Sequence, residues 1–314
     1  MLIPIPARII MVDAPDGSSK IQSRPYPLML RLTFLGTSGS TPTVERGMPA
    51  IAIKYESELL LWDCGEGTQR QMMRYKVGYG SVSAIFISHP HIDHYLGLFG
   101  LLETLKLSSP SPKKLRLFMP KTIQEPNYDF ITTESVKSGE VYSGRDFSVT
   151  AFPVKHCRGA YGFVFQEDEK IKFHEEEAHS LGLEGRMFKE IQQKGSMKIG
   201  GKTIKLEDVT WKRPGRKIVY SGDCFPDQHL VDAARGADIL IHEGTFDASL
   251  KEEAADRQHS TVEDAARTAK EAGVKRLFIT HISPRYSDIA PLLEQAKAIF
   301  PATEIANDGL SIDI

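Results

Sequence analysis

The chain has 314 residues, 41% of them hydrophobic, enough for a large buried core in one large domain or two small ones. No run approaches the roughly 18 apolar residues of a membrane-spanning helix, and Pro4 and Pro6 break the opening MLIPIPARII before a signal-peptide core can form. Three cysteines, Cys64, Cys157 and Cys224, without CxxC spacing exclude a disulfide framework and a structural zinc knuckle, so a soluble cytoplasmic protein is expected. The net charge of −2 argues neither for nor against a polyanionic partner.

Residues 1–29 carry five prolines and little periodicity, and read as an irregular extension or an edge hairpin. From Leu30 onward, short apolar runs alternate with amphipathic stretches such as SLKEEAADRQHSTVEDAARTAKEAG, the pattern of mixed α/β layers. Five apolar runs end on chemically active residues: SAIFIS on His89, VTAFPV on Lys155 and His156, KIVYSG on Asp223, ADILI on His242 and Glu243, RLFIT on His281. In layered α/β folds the site gathers outside the carboxyl ends of strands, so residues distant in sequence can meet there. Between Gly185 and Lys217, ten Lys and Arg stand against three acids, a local charge of +7 that leaves −9 on the remainder.

The densest signal is His89-Pro90-His91-Ile92-Asp93-His94, directly after a strand. Adjacent buried imidazoles beside an acid are costly without an ion. Zinc takes His nitrogen and Asp oxygen, usually four or five ligands at a time. This cluster with His156, Asp223 and His281 exceeds one open site and suits two adjacent ones, with manganese or iron as alternatives to zinc.

The motifs RLTFLGTSGSTP, LLLWDCGEGTQRQM, FISHPHIDHYLGLFGLL, VKHCRGAYGF, GRKIVYSGDCFPD, ADILIHEGTF, HSTVEDAARTAKEAG and RLFITHISPRY, in this order, resemble the metallo-β-lactamase superfamily and, within it, the tRNA 3′-processing endonucleases called ribonuclease Z. The resemblance implies a four-layer αββα sandwich over residues 30–314, with a flexible tRNA-binding exosite arm inserted at about 167–217 that includes Arg186, Lys189, Lys194, Lys198 and Lys202. It implies two Zn ions per subunit: one on His89, His91, His156 and Asp223, the other on Asp93, His94, Asp223 and His281, with Asp223 bridging. A water shared by two such cations has its pKa lowered from 15.7 to roughly 7, supplying the hydroxide that attacks the phosphodiester.

Asp93 is then both ligand and proton acceptor. His259 protonates the leaving 3′ oxygen, the plain alternative being a polar cap on a helix beginning at Ser260 and Thr261. Glu243 orients and charges His259, while His242 either assists or makes a structural hydrogen bond. Asp63 and Glu66 are expected as acceptors for ligand imidazole N–H groups, with helix capping as the alternative. Arg285 suits a phosphate oxygen or, equally, a surface salt bridge.

The expected activity is removal of the 3′ trailer from precursor tRNA, leaving a 3′-OH, by a homodimer whose arms reach the partner's site. Two departures from the family pattern stand out: a Gly182–Arg186 run replaces the arm's Gly-Pro turn, and Pro42-Thr43-Val44-Glu45-Arg46-Gly47 lacks the lysine and asparagine of the PxKxRN loop tied to CCA sensing. The competing readings are a phosphodiesterase, arylsulfatase, lactonase or thioesterase acting on a small molecule with the same metal core, and a non-catalytic RNA-binding relative.

Overall fold

A computed structural model describes residues 30–314 together with two short strands that precede them, β1 Met11–Asp13 and β2 Ser19–Ile21, paired antiparallel. The rest of the expected N-terminal extension lies outside the described residues.

The first sheet is laid down by β3 Leu30–Gly36, β4 Ala50–Tyr55 and β5 Glu58–Trp62, a meander of antiparallel strands. The chain then passes through α1 Thr68–Arg74 to β6 Val82–Phe86, through α2 Ile92–Tyr95 and α3 Gly97–Ser108 to β7 Leu115–Met119, and on to β8 Ile131–Ser135, all parallel to β5. The second sheet opens with β9 Gly139–Ser143, β10 Phe147–Pro153 and β11 Tyr161–Glu167, again antiparallel.

Between β11 and the next strand of that sheet lies an insert: β12 Lys170–Phe173, α4 Glu175–Ser180, α5 Met187–Lys194, β13 Ser196–Ile199, β14 Lys202–Lys205 and β15 Thr210–Arg213. The sheet resumes with β16 Lys217–Tyr220, then α6 Gln228–Ala234, β17 Ile239–Glu243, α7 Lys251–Asp256, α8 Val262–Ala272, β18 Arg276–Thr280, α9 Ala290–Ile299 and β19 Thr303–Ile305, the strands running parallel. Finally β20 Ser311–Asp313 returns to pair with β3. The result is two seven-stranded sheets, in the orders β20-β3-β4-β5-β6-β7-β8 and β19-β18-β17-β16-β11-β10-β9.

Three apolar clusters separate four layers. Phe34, Trp62, Phe86, Phe163, Tyr220 and Phe278 lie among the side chains buried between the sheets, with Trp62 stacked on Tyr220 at 5.7 Å. Leu98, Leu101 and Leu102 of α3 cover the outer face of the first sheet. The α8 face carrying Val262, Ala265, Ala266, Ala269 and Ala272 covers the second; its small residues at helical spacing let the helix approach the strands closely. Strands covered on both faces have to be apolar throughout, which is why SAIFIS and ADILI show no alternation.

Where the resemblance implies a flexible arm at about 167–217, the structure has a folded unit. β12 pairs with β15 at its root, and Ala178, Leu183, Ile191, Ile204 and Val209 form a small core of its own. Gly182 and Gly185 sit at positive φ in the turn that replaces Gly-Pro. Arg213 and Arg216, counted with the basic stretch in sequence, are taken up in that root: both reach the buried Glu167, at 3.0 and 2.7 Å, and Tyr55 donates to the same carboxylate.

Register fixes which end of the sandwich the insert leaves from. β10 and β11 pair Pro153 with Tyr161 at one end and Phe147 with Glu167 at the other. The site end carries Tyr161, whose N–H donates to Ser88 O at 2.9 Å; the insert starts from the Glu167 end.

Candidate metal centre

The carboxyl ends of β6, β16 and β18 and the loop after β10 bring the expected residues together. One Asp223 oxygen, Oδ2, lies 3.6 Å from His89 Nε2, 3.3 Å from His94 Nε2, 3.8 Å from His156 Nε2 and 3.3 Å from His281 Nε2. Around it the donor atoms fall into three overlapping groups, His89, His91, His156 and Asp223, then Asp93, His94 and His281, and also Asp223, His259 and His281, the atoms of each within 4.8 Å of one another. Asp93 Oδ2 is 3.6 Å from His281 Nε2 and 3.7 Å from His94 Nε2.

Local backbone explains the convergence. The four-residue α2 opens directly after His91, so Asp93 and His94 are turned by a helical step away from His89 and His91. Gly97 starts α3 so close to the Gly65 carbonyl that any side chain there would collide with it. Gly39 similarly underlies His281: a Cβ would stand 2.6 Å from its Nδ1. His281 and Asp63, both buried and neither glycine, adopt the left-handed backbone region at φ 58° and 57°.

Each imidazole is oriented from behind. His94 Nδ1 donates to Asp63 Oδ2 at 2.8 Å, and His156 Nδ1 to the Gln258 carbonyl at 2.9 Å. His89 Nδ1 meets Ser88 Oγ at 2.9 Å, and Ser88 passes its own proton to Asp63. His281 Nδ1 meets Thr245 Oγ1 at 2.9 Å, and Thr245 donates to Glu243 Oε2 at 2.6 Å. With Nδ1 protonated in this way, Nε2 of all four rings is the nitrogen turned inward. His91 offers Nδ1, 3.0 Å from both His89 Nε2 and His156 Nε2.

These residues fit divalent-metal binding. Asp223 Oδ1 is buried with no hydrogen-bond partner. Burial, reinforced by neighbouring imidazoles, holds His89 and His91 below the ordinary imidazole range, so both are neutral donors. For His94, burial opposes the charged form but Asp223 and Asp63 prevail and push it well above that range, so Nε2 carries a proton that a bound cation would displace.

Asp63 therefore stands where sequence placed it, behind the ligands, also accepting from Tyr220 Oη at 2.7 Å. Glu66 does not: its side chain is exposed and bonds to no imidazole, because the loop turns outward after Gly65. His242 faces away from the cluster, with Nδ1 on the Glu243 carbonyl at 2.6 Å and Nε2 near Cys224 Sγ, which is the structural alternative. Arg285 forms the salt bridge: its guanidinium pairs twice with Glu253, at 3.0 and 3.1 Å, over the Phe246 ring.

His259 is no helix cap. Thr261 caps α8 in a reciprocal box with Asp264, while His259 Nδ1 sits 2.7 Å from Glu243 Oε1. Burial alone would lower the His259 pKa; the Glu243 charge and hydrogen bond raise it to about 9. Its ring lies beside those of His156 and His281, at centroid distances of 4.8 and 5.4 Å. Sequence reading missed Ser88 and Thr245 as relays, although each directly neighbours a motif residue, and missed the Ser40 N–H, which donates to Asp93 Oδ2 at 3.0 Å.

Comparison with known proteins agrees with this geometry. The chain is 42% identical over 303 residues to the ribonuclease Z of Archaeoglobus fulgidus, covering 91% of itself and 98% of that protein. To the ribonuclease Z of Myxococcus xanthus it is 41% identical over 303 residues, covering 91% and 98%. The chain belongs to the ribonuclease Z family. It also falls in the family whose model is described as Anti-Pycsar protein Apyc1, which matches residues 30–300. Among solved structures, human tRNase Z, short form, is similar at a TM-score of 0.60 and 26% identity, covering 90% of this chain and 98% of that one. YhfI from Bacillus subtilis, at a TM-score of 0.69 and 19% identity over 91% of this chain and 100% of that one, shares the metallo-β-lactamase fold. The αββα sandwich expected for this ribonuclease Z family member is the one found.

Proposed function

We propose that this protein is a metal-dependent endoribonuclease that removes the 3′ trailer from precursor tRNA and leaves a 3′-OH on the tRNA. The observation that carries this reading is Asp223 Oδ2, set among four inward-facing imidazoles, with Asp223 common to two of the donor groups. Two cations held there, zinc by the donor chemistry with manganese or iron as alternatives, would lower the pKa of water between them to about 7 and offset charge on the phosphoryl oxygens.

The chain's own residues supply the proton traffic. Asp93 stays ionised, because burial, which opposes its charge, is outweighed by His281 and His94; Oδ2 is the acceptor for the proton of the attacking water. His259, imidazolium at neutral pH, has Nδ1 committed to Glu243, so Nε2–H is the group that protonates the departing 3′ oxygen. In that scheme Glu243, buried and ionised, sets both the charge and the direction of His259.

Substrate capture falls to the insert, where Arg186, Lys189, Lys194, Lys198 and Lys202 are all exposed. Because the insert leaves from the end of the sandwich away from the cluster, it is better placed to serve the site of a second subunit than its own, which favours a homodimer. Cytoplasmic residence accords with three free cysteines, two of them buried. Arg285 in this reading shapes the rim through Glu253 and Phe246, and phosphate contact would require it to leave that pair.

The same donor set also serves a second reading, hydrolysis of a small phosphodiester. A metal-dependent cleavage assay on a 3′-extended precursor tRNA with the product end mapped, run beside small phosphodiesters and thioesters, separates the two. Strong preference for a small substrate defeats the first.

A further inference from the structure

The metal cluster occupies only part of the end of the sandwich where it lies. Beyond it, β8 closes one sheet and β9 closes the other, and the chain crosses between them around Val136–Ser138. An open cavity of about 530 Å³ lies here, with Lys121, Lys137, Ser135 and Ser138 in its wall. Backbone bonds tie it to the site: Phe118, also in the wall, accepts from Ile87 N–H at 2.8 Å just before His89, and Gly139 pairs with Ala151 on the strand leading to His156.

Two more cations stand on the same side. Lys155 and Arg158 flank His156 in a loop held by the Lys155–Phe225 bridge and by Tyr161 N–H on the Ser88 carbonyl. Lys121, Lys137, Lys155 and Arg158 are all exposed, and none has a side-chain hydrogen bond or ion pair among the described residues. In the insert, Lys194, Lys205 and Lys212 are each paired with a glutamate, while Arg186, Lys189, Lys198 and Lys202 are as free as the four on this flank. Of the acids in the cavity wall, Glu134 is taken by two bonds from Arg116, and Glu140 alone opposes the four cations.

Strand order gives this flank a direction. Across the second sheet the order is β18, β17, β16, β11, β10, β9, and His259 is anchored through Glu243 at β17. The departing 3′ oxygen of the tRNA belongs beside His259, and the nucleotide on the other ester oxygen of the same phosphate has to leave the centre by a separate route; the flank at β10, β9 and β8 offers one. We propose that Lys121, Lys137, Lys155 and Arg158 form a track that receives the phosphates of the RNA downstream of the cut, the trailer itself. Unpaired cations spread along one exposed flank, two of them in the wall of an open cavity, can follow a single-stranded backbone without reading its sequence.

This inference rests on the tRNA-processing reading, and its test separates the two. The metal-loaded full-length protein is given precursor tRNAs that differ only in trailer length, one nucleotide against about twelve, at several salt concentrations. The long trailer is expected to lower KM about tenfold at low salt, and its log–log salt slope to steepen by roughly 0.7 per added phosphate contact. In a variant with Lys121, Lys137, Lys155 and Arg158 all changed to Ala, the long-trailer advantage should vanish. A wild-type KM and salt slope indifferent to trailer length, or an advantage that survives the four substitutions, overturns the track while leaving tRNA processing intact. Absence of cleavage on every precursor overturns the underlying function instead.

Discussion

Glu243 couples His259 to His281: one carboxylate oxygen takes the His259 Nδ1 proton at 2.7 Å, and the other takes the Thr245 hydroxyl, which faces His281 Nδ1. A single buried acid thus sets the charge of His259 and, through one hydroxyl, the tautomer of His281.

For that reason Glu243→Gln should act on pH dependence as well as rate. A reaction needing imidazolium loses rate as pH rises through the His259 pKa, raised to about 9 in the native protein. Without the carboxylate, burial dominates and the alkaline limb should move down toward or below the ordinary value near 6.5, with kcat reduced by roughly 10²–10⁴-fold at pH 8. His259→Ala should cost a similar factor below the native His259 pKa, with the difference from wild type shrinking above it, while metal content stays at the wild-type level. Metal loss from His259→Ala, measured by elemental analysis, would move that residue into the ligand set.

Asp63 touches no substrate, yet it accepts from His94, Ser88 and Tyr220. Asp63→Asn should weaken metal affinity by about 10–100-fold, read by chelator competition, and excess metal should restore most of the activity. Asp93→Ala should abolish cleavage even at saturating metal.

Neutralising Arg186, Lys189, Lys198 and Lys202 together should raise KM for precursor tRNA and flatten its salt dependence, with hydrolysis of a small phosphodiester unaltered. These four are exposed and outside the insert's core, so circular dichroism should show the fold retained. Equal losses on both substrates would remove the insert from RNA capture.

Glu167 tests the root of the insert. Burial favours its protonation, but Arg216 and Arg213 outweigh it and hold the carboxyl down to about 2. A depressed acid stabilises the fold above its unfolded pKa near 4.3, and that stability is lost as pH falls toward 2. Glu167→Gln should destabilise the protein by on the order of 3 kcal/mol at neutral pH, leaving Arg213, Arg216 and Lys170 facing one another. It should also remove part of the wild-type loss of stability between pH 4 and 2, measured by urea titration.

Much of the site was legible because its chemistry is concentrated. HPHIDH is dense, and His156, Asp223 and His281 each come one to three residues after a largely apolar run that reads as a strand. What sequence could not carry was direction. Asp63 and Glu66 share one short loop, but a left-handed residue at Asp63 sends only that carboxylate inward. His242 and Glu243 are adjacent on β17, where neighbours point to opposite faces, so one meets Cys224 and the other His259. Arg285 paired with Glu253 because α7 happens to pass beside it, a tertiary accident invisible in HISPRY. The insert's small core was hidden by its charge: Ala178, Leu183, Ile191, Ile204 and Val209 are thinly spread among lysines.

The positive φ at Asp63 and His281 sets thermal robustness against turnover. Left-handed backbone costs a non-glycine residue roughly 1–2 kcal/mol, a strain glycine does not feel. A selection for heat resistance alone would drift toward glycine at those two positions, and survivors would be sturdier proteins that had lost an imidazole of the cluster and the carboxylate behind it.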